Sequence, residues 1–121
     1  MEQFAQQFVT TFYQAFDQNK ANIINFYQQP STLTFFTWTA QGPQAIAERL
    51  KATSFQKVQH QIKDMSCQII QGSPMIMINV IGQIKIDDDN AMIFTENFVL
   101  CQMNNNWFIL NDIMQLVQIQ N

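Results

Sequence analysis

Charge is scarce in this chain: only 12% of its 121 residues are Asp, Glu, Lys or Arg. The six basic residues, Lys20, Arg49, Lys51, Lys57, Lys63 and Lys85, form no stripe, so the electrostatic footprint of a nucleic-acid binder is missing. Cysteine is limited to Cys67 and Cys101. That is too few for a disulfide framework and fits no metal-site spacing, so a reducing cytosolic or nuclear compartment is expected. The N-terminus lacks the charged n-region of a signal peptide, and no apolar run reaches the ~18 residues of a membrane span. EF-hand spacing, metal-ligand clusters and nucleophile motifs are also missing. Neither a metal nor a cofactor is expected.

What is present describes a globular domain. Apolar residues make up 47% of the chain, enough to bury a core and to argue against disorder. The length suits a single domain over residues 1–121. Gln and Asn supply about a quarter of the residues, in place of the usual Lys and Glu. The net charge is −3, and the one local concentration is Asp87-Asp88-Asp89, a cluster that suits a basic partner.

Phe4, Phe8, Phe12 and Phe16 recur every four residues, with Val9 and Tyr13 beside them. This is the apolar stripe of an amphipathic helix, interrupted at Asp17-Gln18-Asn19. A second, shorter helix is expected around Ile23, Ile24, Phe26 and Tyr27, stopping before Pro30. Leu33 to Thr39 reads as one short strand. Gly42-Pro43 opens a third helix, with Pro pre-set for its first position and Ile46 and Leu50 on one face.

The remainder reads as strand. Gln56 to Met65 alternates, with Val58, His60 and Ile62 on one side, and Cys67 to Ile70 is extended. Turns at 71–74, 87–90 and 104–106 separate long strands at Met75–Ile86, at Met92–Met103 and from Trp107 to about Ile119. Helices first and strands afterwards imply an α+β fold, and tight turns between long strands imply an antiparallel meander. Three helices can cover one face of such a sheet. The other face keeps apolar residues among Met75, Met77, Ile81, Ile93 and Val99 or their alternating neighbours. An apolar patch of that size calls for a partner, most simply a second copy packed sheet to sheet.

Several segments carry a resemblance: Tyr13-Gln14-Ala15-Phe16-Asp17, Phe55-Gln56-Lys57-Val58-Gln59-His60, Val80-Ile81-Gly82-Gln83-Ile84-Lys85, Asp87-Asp88-Asp89, and Trp107 followed by Asn111-Asp112. In order and spacing the chain resembles the nuclear transport factor 2 family over nearly its whole length. The resemblance implies a cone, in which a strongly curved antiparallel sheet wraps around the helices and the unit forms a homodimer. It further implies an apolar cavity at the cone's mouth with an acidic rim. In the family, that cavity accepts an aromatic residue of the GTPase Ran in its GDP form. Phenylalanine-rich (FG-repeat) nucleoporins bind the outer surface, and the carrier works between cytoplasm and nucleus at the pore complex of the nuclear envelope. On this basis Asp87 and Asp89 align with the acids that contact Ran, His60 stands close to the cavity, Phe35 takes the place of a Trp at the mouth, and Ile113 and Met114 match cavity-lining positions. Two positions depart from the pattern. Phe36 stands where the family has a rim Glu, and Met1 stands where it has a Trp that anchors nucleoporins.

Each of these residues also has a plainer reading. Asp87–Asp89 is a solvated turn. His60 is a hydrogen-bonded core histidine. Asp112 is a buried carboxylate that caps backbone or carries a raised pKa, and Phe35, Ile113 and Met114 are ordinary core. Two rival functions remain open. One is a small pocket enzyme of isomerase or dehydratase type, with His60 paired to Asp112 as general base and Tyr13 or Tyr27 as donors. The other is a non-catalytic export scaffold that heterodimerises with a larger partner.

Overall fold

The protein is described by a computed structural model covering residues 1–117. Helix α1 (Glu2–Gln18) is followed by a 3-10 helix (Lys20–Phe26), strands β1 (Tyr27–Phe35) and β2 (Trp38–Gln41), and helix α2 (Pro43–Ala52). Strands β3 (Val58–Ile70), β4 (Met75–Ile86), β5 (Met92–Met103) and β6 (Asn106–Val117) complete the fold. The sheet is six-stranded, in the order β2-β1-β6-β5-β4-β3. It is curved and unclosed, and the helices pack into its concave side. The last residues expected in β6, up to Ile119, lie outside the described residues.

The phenylalanine stripe does what its period dictates. Phe12 and Phe16 are buried and Phe4 and Phe8 half-buried, and Phe12 meets Phe98 of β5 edge-on with ring centroids 5.2 Å apart. The inward residues of the long strands, including Ile78, Ile84, Phe94, Phe98 and Leu100, lose all solvent contact. At about 25 cal/mol per Å² of apolar surface, these side chains dominate the stability of the domain.

Four details differ from expectation. The second helix is a 3-10 segment, and the chain turns extended at Tyr27, so Pro30 lies inside β1 rather than before it. Proline is tolerated there because the β1–β6 register slips between Tyr27 and Thr32, and an irregular stretch needs no amide from it. Ser31 fills the gap: its hydroxyl donates to the Ile109 carbonyl (2.5 Å) and accepts from the Gln28 amide (2.8 Å).

The expected single strand 33–39 is a hairpin, with Phe35 paired to Trp38. Its turn contains no Gly or Asn. Phe36 itself takes the left-handed backbone (φ 56°), which bulky residues rarely adopt. The two extended pieces around 56–70 are one strand, broken only in register by a bulge at Lys63 between the Ile62–Gly82 and Asp64–Ile81 pairs. At that point the strands come so close that a Cβ on Gly82 would lie 2.2 Å from the Gln61 carbonyl oxygen. Finally, β1 runs parallel to β6, so the meander is antiparallel everywhere else but not at this seam.

In its middle rows the convex face of the three central strands mixes apolar side chains with uncharged Asn, Gln and Thr, and Lys85 lies outward at the end of β4. The middle rows are Met77–Val99–Asn111, Asn79–Asn97–Ile113, Ile81–Thr95–Gln115 and Gln83–Ile93–Val117. Met77, Ile81, Ile93, Ile113 and Val117 are exposed in the single chain.

Candidate functional site

The acidic turn is built into the start of β3. Asp87 has a left-handed backbone (φ 52°). Its amide donates to the Lys57 carbonyl (2.8 Å), and its Oδ1 accepts from the amides of Gln56 (2.9 Å) and Lys57 (2.8 Å). These two amide bonds hold the Asp87 carboxyl below its ordinary value, because they favour the charged form. Asp88 and Asp89 are exposed. The same stretch of chain delivers Phe55 to the core. Lys20 clamps it from the other side, its Nζ donating to the carbonyls of Thr53 and Phe55 and lying 4.6 Å from the Phe55 ring centre.

Next to this turn lies an aromatic cluster. Phe35 is buried, with Phe36 (4.2 Å), Trp38 (5.5 Å), Phe16 (5.9 Å) and Phe55 (6.1 Å) around it. Arg49 covers the Trp38 ring at 5.2 Å. The expectation of an open apolar cavity with Phe35 at its mouth, His60 close by and Ile113 and Met114 in its lining is therefore corrected. Phe35 and Met114 are 2% and 1% exposed, and the chain's own rings fill the space around Phe35. Ile113 is 44% exposed on the convex face. Successive strand residues point to opposite sides, so Ile113 and Met114 cannot line one pocket. A polar depression of ≈ 470 Å³ does lie nearby, bordered by Asp17, Gln59, His60, Gln61, Gln83, Lys85 and Ala91.

His60 and Asp112 do not pair. The His60 side chain is buried, with Nδ1 2.6 Å from Asp17 Oδ1, and its backbone amide donates to Asp17 Oδ2 (2.8 Å). The ring stacks on Tyr13 at 4.3 Å. Asp112 instead accepts from the Tyr27 hydroxyl (2.8 Å), and Glu96 accepts from the Tyr13 hydroxyl (2.8 Å). Both carboxyl groups are buried, and burial pushes both up from their ordinary values. Both tyrosines are pushed up as well, by burial first and then by the adjacent carboxyls.

Two members of this arrangement escaped the sequence reading. Glu96 carried a signal, since it occupies an inward position in the alternation Phe94, Glu96, Phe98, Leu100, where a charged group is out of place. Asp17 read only as the end of α1, and its bond to a residue 43 positions later leaves no local trace.

Residues 4–116 match the family described as the Nuclear transport factor 2 domain. The chain belongs to this family. A nuclear transport factor 2 from Emericella nidulans is 39% identical over 115 residues, covering 93% of this chain and 92% of that protein. The one from Saccharomyces cerevisiae is 34% identical over 113 residues, covering 93% and 90%. Among solved structures, nuclear transport factor 2 from Cryptosporidium parvum superposes with a TM-score of 0.86 at 30% identity, over 96% of this chain and 94% of that one. These relatives bear the name of a transport factor rather than of an enzyme. The curved sheet with its helices inside is thus the nuclear transport factor 2 fold.

Proposed function

We propose that the protein is a homodimeric nuclear transport carrier that binds Ran in its GDP form and phenylalanine-rich nucleoporins, moving between cytoplasm and nucleus through the pore complex of the nuclear envelope. The observation that carries this reading is the end-to-end match to nuclear transport factor 2 proteins. Two physical features support it. The middle rows of the convex face carry six apolar side chains and no charge, the composition of a surface that another copy covers. Its exposed Met77, Ile81 and Ile113 would form the centre of a two-fold contact.

The second feature is the acidic turn beside an aromatic cluster. Through Gln56 and Lys57 the turn is bonded to the segment that places Phe55 against Phe35. An aromatic side chain of the partner would pack on the half-buried rings of Phe36 and Trp38 rather than enter a hole. Basic residues flanking that aromatic would meet Asp87, Asp88 and Asp89. One buried aromatic contributes about 1.5–3 kcal/mol, which association entropy consumes. The carboxylates must therefore supply specificity and association rate.

The test is retention of GDP-loaded and GTP-loaded Ran on the immobilised protein. Retention of the GDP form alone is expected. Equal retention of both forms, or of neither, overturns the proposal.

A further inference from the structure

The centre of the cone holds a polar group that nuclear transport does not call upon. Glu96 of β5 and Asp112 of β6 are 2% and 1% exposed and lie diagonally on the same face, since Glu96 pairs with Met114 and Phe98 with Asp112. The groups around them come from every layer. Tyr13 and Asp17 belong to α1, Tyr27 to β1 and His60 to β3. The two tyrosine hydroxyls each donate to one carboxyl. His60 reaches Asp17 but neither carboxyl of the pair. Among the described residues, no lysine or arginine forms an ion pair with either acid.

The donors do not suffice for two carboxylates. Asp112 Oδ1 is buried and has no hydrogen-bond partner, and a buried acceptor left bare is costly. Two uncompensated negative charges side by side would be costlier still. One proton resolves both faults: carried by Glu96, it is donated to Asp112 Oδ1, which leaves one charge spread over the pair and satisfies that oxygen.

We infer that Glu96 and Asp112 share one proton and act as a pH-sensitive latch, closed when the proton is bound, that joins α1 and β1 to the β5–β6 core through Tyr13 and Tyr27. The latch lies directly behind the aromatic cluster, because Leu33 and Phe35 of β1 are the register partners of Asp112 and Met114. Burial raises both carboxyls, in keeping with this arrangement.

In the unfolded chain Glu96 releases its proton near the ordinary value of 4.5, whereas the folded chain keeps it. The stabilisation is therefore complete below that pH and declines as pH rises, until the folded pair also lets go. Each pH unit in that window raises the unfolding constant about tenfold per retained proton.

The experiment is denaturant unfolding of the full chain at a series of pH values from 4.5 upward, for the wild type and for Glu96→Gln. The amide of the variant can accept from Tyr13 and donate to Asp112 without titrating. The wild-type slope is expected to exceed that of the variant by about one proton, a tenfold change per pH unit. Parallel profiles overturn the latch. Should the variant fail to fold, a carbon NMR titration of the wild-type Glu96 carboxyl decides. A midpoint well above the ordinary glutamate range supports the shared proton, and one within that range refutes it.

Discussion

Ile81→Asp tests the convex face most directly. Ile81 sits mid-row between Asp64 and Thr95 and keeps 44% of its surface exposed. Covering that remainder is worth about 1 kcal/mol, taking a full isoleucine at roughly 1.5–3. Two-fold symmetry counts every substitution twice, so the lost apolar burial comes to about 2 kcal/mol per dimer. The new carboxylates add more, because each lies opposite the acidic Asp64 of its own chain and the adjoining β4–β6 rows carry no positive charge, and burying an unpaired polar group costs about 1–3 kcal/mol or more each. The sum is about 4–8 kcal/mol. At 1.4 kcal/mol per tenfold, the dimer dissociation constant should rise by about three to six orders of magnitude.

Sedimentation velocity at micromolar protein should show a wild-type dimer and a variant monomer. The variant's circular dichroism should match wild type, since an outward side chain contributes little to the fold of one chain. A wild-type monomer, or a variant that still sediments as a dimer, would refute the assignment of this face.

Other substitutions probe the remaining features. Gly82→Ala forces a methyl group against the Gln61 carbonyl and should destabilise the domain by about 1–3 kcal/mol or more in urea unfolding. Tyr27→Phe removes the donor to Asp112 and should cost about 1–3 kcal/mol. Because the depressed Asp87 carboxyl stabilises the turn above its ordinary pKa, that contribution should fade as pH falls through the lowered value; faster exchange of the Gln56 and Lys57 amides in acid would report it. Asp89→Asn should weaken binding of GDP-loaded Ran about tenfold or more in calorimetry, with the dimer unchanged.

The sequence disclosed elements whose period was long and regular. The Phe4-to-Phe16 stripe and the strands Met75–Ile86 and Met92–Met103 could be read directly, as could the helix opened by Pro43. It hid features set by tertiary context. Phe36 turns a hairpin without a turn residue, and Pro30 survives in a strand because the register slips beside it.

The site divided along the same line. The acidic turn was visible as a charge run, but its bonds to Gln56 and Lys57 span about thirty positions. Alternation places His60 and Asp112 among inward residues, and both side chains are buried. Their partners, Asp17 and Tyr27, come from elements that alternation alone cannot bring together.

The parallel seam between β1 and β6 has a consequence for how the chain acquires its shape. Leu33 finds its register partner only at Asp112, after nearly all of the intervening chain has been synthesised. Closing so long a loop is entropically slow, and pairings of high sequence separation dominate folding time. A ribosome releasing this chain from its N-terminus therefore exposes the phenylalanines of α1 long before their cover exists. Completion of the core waits for the final strand, and chaperones have that interval in which to act.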